Sequence, residues 1–190
     1  MIGKKNIVFG FLYLVLTAAL GPMMIIKYFD DVGATEAVKQ LKVGALQQAA
    51  ASGFEVDLEP MTADEIGAMN ADAILALSAR LNSEGPINAV KGGPHTHGNL
   101  EALLNIAAGF LICFLAVHRT LKQLISWSFL LGAVAHSGLL YLAIGLNVGW
   151  AQSLMGTAFA YLGPALILIG LLLAGVAAAL GFRGTIETDF

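Results

Sequence analysis

Charge is what this chain has least of. Only 12% of its 190 residues are Asp, Glu, Lys or Arg, about half the roughly 25% of a soluble domain. No basic patch with interleaved aromatics is present, which argues against nucleic acid as a partner. Cysteine occurs once, at Cys113 in an apolar run, so no disulfide can form within the chain. A lone cysteine in such a run behaves as a small hydrophobe. The sequence has no nucleophile elbow, phosphate loop, dinucleotide fingerprint or C-x-x-C-H attachment motif;. Internal repeats and low-complexity tracts are also missing.

What fills the chain is apolar surface. Hydrophobic residues make up 57% and the mean hydropathy is +0.77. Four segments, Asn6–Ile26, Asn99–Val117, Leu124–Leu146 and Leu154–Phe182, approach or exceed the about 20 residues that cross a bilayer. They predict an all-α integral membrane four-helix bundle. The expected division is a first transmembrane helix within 1–26, a helical hairpin over 27–98, three further helices over 99–182 and a tail over 183–190. Lys4 and Lys5, the Arg119/Lys122 turn and Arg183 fall on one side of four spans, which the positive-inside rule makes cytoplasmic. Both termini are therefore expected in the cytoplasm of a cell inner (plasma) membrane. The long segment from Lys27 to Lys91, with ten Asp/Glu against five Lys/Arg, is expected outside. The apolar run of the first span exceeds the roughly 7–15 residues of a signal core, which predicts an uncleaved anchor.

That outer segment reads as folded. Thr62-Ala63-Asp64-Glu65 is a capping box, in which the Thr hydroxyl and the Glu carboxylate each satisfy a free backbone N–H. Ile66, Met69, Ala73, Leu77 and Leu81 follow at helical spacing, and Asn82-Ser83-Glu84-Gly85-Pro86 is expected to stop the helix. Thr35–Ala51 reads as a second helix, with Val38, Leu41, Ala45 and Gln48 on one side.

The four histidines are few enough to take singly. His97, Glu101 and Asn105 stand at i, i+4 and i+8, so they share one stripe of a helix. Ionisable and amide groups at membrane depth are costly and are retained mainly where they line a site. His97 is thus a candidate ligand. Glu101 is a candidate acceptor for the second N–H of a ligating histidine, and a Glu reaching interfacial water is the plain alternative. His95-Thr96-His97 is also a candidate copper site, since imidazole suits that metal. His136 lies mid-way along the third span and is expected to bond a neighbour or ligate a cofactor. From the span ends it sits about ten residues deeper than His97, an offset of about 15 Å at 1.5 Å per residue, which argues against one haem bridged by that pair. Asn105 and Tyr141 are candidate donors to a bound substrate, although Tyr141 also suits an aromatic belt. His118 belongs to a solvated turn. Gly156, Ala160, Gly170, Ala174, Gly175 and Ala178 give the fourth span a small-residue spacing suited to close helix approach.

His97 opens the second span, and the short basic turn of Arg119 and Lys122 follows. Tyr141-Leu142 comes late in the third span, then Asn147, Gly149 and Trp150, and the fourth span carries Ala160-Tyr161-Leu162-Gly163. In these features, from His97 to Ala178, the chain resembles the styrene oxide isomerase family of small membrane proteins. The resemblance implies haem b held non-covalently between the subunits of a homotrimer. It implies an iron that polarises a hydrophobic epoxide and rearranges it to a carbonyl without net redox change. On that pattern His97 is the axial ligand and Asn105 and Tyr141 orient the substrate. Glu101, His136 and the long outer hairpin are departures from it. A second expectation is a b-type cytochrome or accessory subunit of a membrane respiratory or oxygenase complex, with His136 or a partner residue as second axial ligand. A third is a copper-binding membrane protein using His95 and His97.

Overall fold

The structure is a computed structural model and describes residues 1–183. Nearly all of them are helical. The principal elements are α1 (Gly3–Ala18), α2 (Leu20–Ala51), β1 (Glu55–Val56), β2 (Glu59–Pro60) and α3 (Ala63–Val90), followed by α4 (Thr96–Phe114), α5 (Arg119–Ala133), α6 (Gly149–Met155) and α7 (Leu162–Gly181). Short π-helical turns occupy Lys91–His95, Val134–Gly138 and Tyr141–Gly145. Four helical stretches are long and apolar enough to cross a membrane. Of the expected tail over 183–190, all but Arg183 lies outside the described residues. The chain divides into two compact units, one of Met1–Gly21 with the residues from Ala89 onward, the other Pro22–Asn88.

The first unit is a bundle of α1, α4, α5 and α7, in which α1 lies along α4, α4 on α5 and α5 on α7. Its core joins Ile112, Leu115, Ile125, Phe129, Ile167 and Ala177. Between helices in lipid, small residues allow the backbones to approach closely. At the α1–α4 crossing a Cβ on Gly3 would lie 2.1 Å from the Gly109 carbonyl oxygen, and one on Gly109 would lie 2.7 Å from that of Gly3. Neither position has room for any other residue. The buried residues of α1, namely Gly3, Asn6, Gly10, Tyr13 and Thr17, repeat at alternating spacings of three and four. On α7 the inward stripe is Gly163, Ile167, Gly170, Ala174, Ala177 and Gly181. Gly170 and Ala174 of the expected small-residue set belong to it. Gly175 faces open space, and Gly156 and Ala160 precede α7. Pro164 falls in the first turn of α7, where its missing N–H has no helical partner to lose.

The α4–α5 connection is only Leu115–His118. Ala116 N–H donates to the Gly181 carbonyl at 2.7 Å, and Arg183 N–H to Phe114 at 3.2 Å. His118 caps α5, its Nδ1 accepting from Thr120 N–H at 3.2 Å. Helix α5 starts at Arg119, five residues before the apolar run that marked the third span, because this exposed cap and not the hydropathy sets its beginning.

In the second unit α2 and α3 form a helical hairpin. Its tip is a two-residue β-turn between β1 and β2, pairing Glu55 with Pro60 and Val56 with Glu59. Asp57 (φ 54°) and Leu58 (φ 67°) are both left-handed, as the twist of such a hairpin requires. The capping box forms as read: Thr62 N–H donates to Glu65 Oε2 at 2.8 Å, and Glu65 N–H to Thr62 Oγ1 at 3.3 Å. The helix does not stop at Asn82–Pro86. It runs through Pro86 to Val90, and its more buried residues continue at three-four spacing from Ile66 through Met69, Ala73, Ala76, Arg80 and Ser83 to Ile87. Packing along that stripe outweighs the roughly 3 kcal/mol that an interior proline costs. Polar pairs hold the two helices together. Arg80 Nε bonds Glu36 Oε2 at 2.7 Å, Lys42 bonds Asp72 at 2.8 Å, and the Thr35 and Ser83 hydroxyls meet at 2.8 Å.

Candidate metal centre

Helix α4 begins after a kink. Pro94 follows Gly93, whose backbone leaves the helical region (φ −92°, ψ −106°), and His97 is the second residue of α4. His97 stands 17 residues before the end of α4, and His136 stands 17 residues after the start of α5. Two antiparallel helices joined by a short turn bring such residues to one level. The imidazole centroids are accordingly 4.8 Å apart, with the rings inclined at 61°. The expected depth offset of about 15 Å is therefore wrong. It came from measuring both residues from the expected outer span ends, Asn99 and Leu146, and not from the turn that joins α4 to α5.

Glu101, one turn below His97, completes the group. A nitrogen from each histidine and a carboxylate oxygen of Glu101 lie within 4.8 Å of one another. His136 Nδ1 bonds Glu101 Oε1 at 2.5 Å, which leaves Nε2 as the other nitrogen of the ring. Ser137 Oγ donates to Glu101 Oε2, and Tyr13 donates to Ser137 Oγ at 2.8 Å. Both carboxylate oxygens are thus engaged, on a residue only 3% exposed. His136 and Ser137 come from the Val134–Gly138 π-turn, a local widening that is common at functional sites. Gly163 of α7 presses directly on this turn, since a Cβ there would fall 2.5 Å from the backbone nitrogen of His136.

A carboxylate buried this fully is costly unless it is hydrogen-bonded or coordinates a metal. Two imidazoles and one carboxylate are a donor set for zinc or non-haem iron with open coordination positions. The ring separation distinguishes coordination modes. With metal–nitrogen bonds of about 2.0–2.1 Å, imidazoles on opposite sides of one iron place their centroids about 6 Å apart, whereas adjacent ligands of one tetrahedral ion place them about 5 Å apart. The 4.8 Å observed suits adjacent ligands and leaves no space for a porphyrin between the rings.

The other expected site residues lie elsewhere. His95 is half-buried and its Nδ1 bonds the Thr17 carbonyl at 2.9 Å; it is not in the group with His97. Asn105, fully buried, donates to the carbonyls of Glu101 (3.0 Å) and Phe129 (3.1 Å) and accepts from Asn6 Nδ2 (2.9 Å). Its amide ties α4 to α1 and α5. Tyr141 lines a cavity of about 230 Å³ with Tyr13, Leu16, Val134, Gly138 and Leu142. A second cavity, of about 400 Å³, shares Val134 and Leu142 and is walled by Leu131, Trp150 and Phe159 among others. Tyr13 and Asn6 were not anticipated. Their signal was present, because Asn6, Tyr13 and Thr17 are the polar members of one three-four stripe in an otherwise apolar helix. Comparison with family models, with curated proteins and with solved structures finds no match to this chain.

Proposed function

We propose that the chain is an integral membrane protein of four spans, with both termini cytoplasmic and the Pro22–Asn88 hairpin outside. Its four-helix unit binds a metal through His97 and His136, with Glu101 holding the His136 ring, and uses it on a hydrophobic small molecule. The observation that carries this reading is the convergence of two imidazoles and a buried carboxylate within 4.8 Å. A metal with an open position supplies Lewis acidity, which polarises an oxygen of the substrate. The protein's own residues do the positioning. Glu101 holds the His136 ring and leaves Nε2 free to ligate, and Ser137 and Tyr13 fix the carboxylate's other oxygen, an arrangement that supports ligand orientation. The cavity of Tyr13 and Tyr141 offers an apolar chamber behind this chain of bonds.

A second reading is haem b on a single axial histidine, as the styrene oxide isomerase-like pattern implies, with redox-neutral conversion of a hydrophobic epoxide to a carbonyl. The hydrogen bond from His136 Nδ1 to Glu101 favours it, because a histidine so held presents one nitrogen to an iron;. Here His136 is the better-oriented ligand, while the resemblance assigns that role to His97. The ring separation disfavours a cytochrome with both histidines on one iron.

One preparation separates these readings. The detergent-purified protein, expressed with ample haem and supplemented divalent metals, is analysed for metal content and visible absorption. One equivalent of metal without a Soret band, lost in His97→Ala and in His136→Ala, supports the ion site. A Soret band that shifts with added imidazole supports a five-coordinate haem. Neither metal nor haem in the wild-type protein overturns the proposal.

A further inference from the structure

Tyr13 belongs to two places at once. Its ring, stacked on Phe9 with centroids 5.1 Å apart, walls the cavity of about 230 Å³ between α1 and the π-turns that follow α5. Its hydroxyl begins a chain of bonds that ends at a candidate ligand. Tyr13 meets Ser137 Oγ at 2.8 Å, Ser137 Oγ bonds Glu101 Oε2, and Glu101 Oε1 bonds His136 Nδ1 at 2.5 Å. A serine hydroxyl has one proton, and that of Ser137 goes to Glu101, so Tyr13 is the donor in its bond to Ser137. Tyr13 likewise has a single proton to give. Gly138 lines the same cavity, and a Cβ there would lie 3.6 Å from the Tyr13 hydroxyl oxygen. With no carbon in that place, the hydroxyl is open to the cavity.

We infer that this cavity is a regulatory site, where a small apolar molecule with one acceptor oxygen binds and loosens the metal, an inference that rests on the metal reading above. The walls select the occupant. Leu16, Val134 and Leu142 are apolar, and the only polar side chains lining the cavity are the two tyrosines. A charged molecule would lie there without a counter-charge, at high cost. Both tyrosine hydroxyls can donate, so the matching group is a carbonyl or ether oxygen on an apolar body, the usual division of labour in a small-molecule pocket. Such an oxygen and Ser137 compete for the one Tyr13 proton. When the occupant takes it, Ser137 loses its donor. Its own bond to Glu101 then weakens, because hydrogen bonds in a chain polarise one another. Glu101 holds the His136 ring less firmly, and partners that orient a ligand govern much of a site's metal affinity. The Tyr13 ring stays on Phe9 throughout and only its hydroxyl proton turns. Occupancy of the cavity is thereby sensed at the metal without contact between the two. The coupling is reciprocal, so bound metal weakens the occupant by the same factor. One hydrogen bond of average strength between membrane helices sets its size at about three-fold in affinity.

The test titrates Zn²⁺ into the detergent-purified full chain against a chelator dye, with cyclohexanone, with methylcyclohexane or with neither. The two probes share a ring, and only the ketone carries an acceptor. Cyclohexanone should lower the zinc affinity about three-fold, and methylcyclohexane should leave it unchanged. Tyr13→Phe keeps the ring and deletes the proton. Gly138→Ala sets a methyl beside the hydroxyl at ordinary contact distance. In each variant the zinc affinity should be the same with and without the ketone, whatever its own value. Equal affinity in all three wild-type titrations overturns the inference and leaves the metal reading standing. A ketone effect that persists in Tyr13→Phe also overturns it, because the ketone then acts on the metal directly, and so does methylcyclohexane matching the ketone. A wild-type chain that takes up no zinc removes the metal reading and the coupling together.

Discussion

Replacing Asn105 with Ala tests whether this residue is a structural tie or a substrate-facing group. Its amide makes three hydrogen bonds in a fully buried position: to the carbonyls of Glu101 and Phe129, and from Asn6. Side-chain hydrogen bonds between membrane helices average about 0.6 kcal/mol and reach about 1.7, so the two that leave α4, to Phe129 and from Asn6, together contribute roughly 1–3 kcal/mol. Asn6 shares one of them and also donates to Ser126 O at 3.0 Å. Asn6→Ala and Asn105→Ala should therefore each destabilise the protein and should not add. The double variant should be less destabilised than the sum by about 0.6–1.7 kcal/mol, the bond counted in both single variants. Reversible unfolding in mixed detergent and SDS, followed by circular dichroism, measures all four corners of the cycle. Additivity within about 0.3–0.5 kcal/mol refutes the pairing of α1 with α4 through these amides. So does an Asn105→Ala protein as stable as wild type, which would return Asn105 to the substrate.

Gly163→Ala adds one methyl 2.5 Å from the His136 backbone. It should cost about 1–3 kcal/mol as an overpacked contact and weaken metal binding with no change in any ligand, which calorimetric titration of wild type and variant compares. Glu101→Gln keeps the size of the side chain and removes its charge; a 10- to 100-fold loss of metal affinity is expected, read by competition with a chelator dye. Pro86→Ala restores a backbone donor inside α3 and should stabilise the hairpin by up to about 3 kcal/mol, seen as a later unfolding transition. A destabilised Pro86→Ala would mean that the helix does not run through that position.

The four apolar helices, the capping box and the stripe of His97, Glu101 and Asn105 were legible because each depends on spacing within one helix. The pairing of His97 with His136 was not, and the reason is specific. Hydropathy locates where a helix is greasy, whereas the relative level of two helices is set by where the turn between them begins. Here the turn is fixed by His118 and by bonds from Ala116 and Arg183 to neighbouring backbone, none of which an apolar window registers. The sequence also left open which side of each hairpin helix packs: Val38, Leu41, Leu77 and Leu81 lie exposed, whereas Ile66, Met69 and Ala73 are more buried. Periodicity shows that a helix has an apolar face without saying which surface covers it, and the polar pairs through Glu36, Lys42, Asp72 and Arg80 claimed the inner one.

The polar residues of the bundle also explain why its histidines meet. Apolar helices in lipid gain little from one register over another, because tails and side chains are equally greasy. A buried amide or hydroxyl changes this, since a slip of one turn would leave it without a partner at several kcal/mol. On α1 the polar groups Asn6, Tyr13 and Thr17 meet Asn105, Ser137 and Asn99 in turn, so one helix fixes the height of α4 at two levels and reaches the His136 turn at a third. The close Gly3–Gly109 contact allows that engagement by bringing the backbones together. The level of His97 against His136 therefore follows from α1, which contributes no ligand. Accordingly, a change at Asn6 or Thr17, remote from any metal, should disturb the site more than a change on the exposed face of α1 such as Leu12 or Val15.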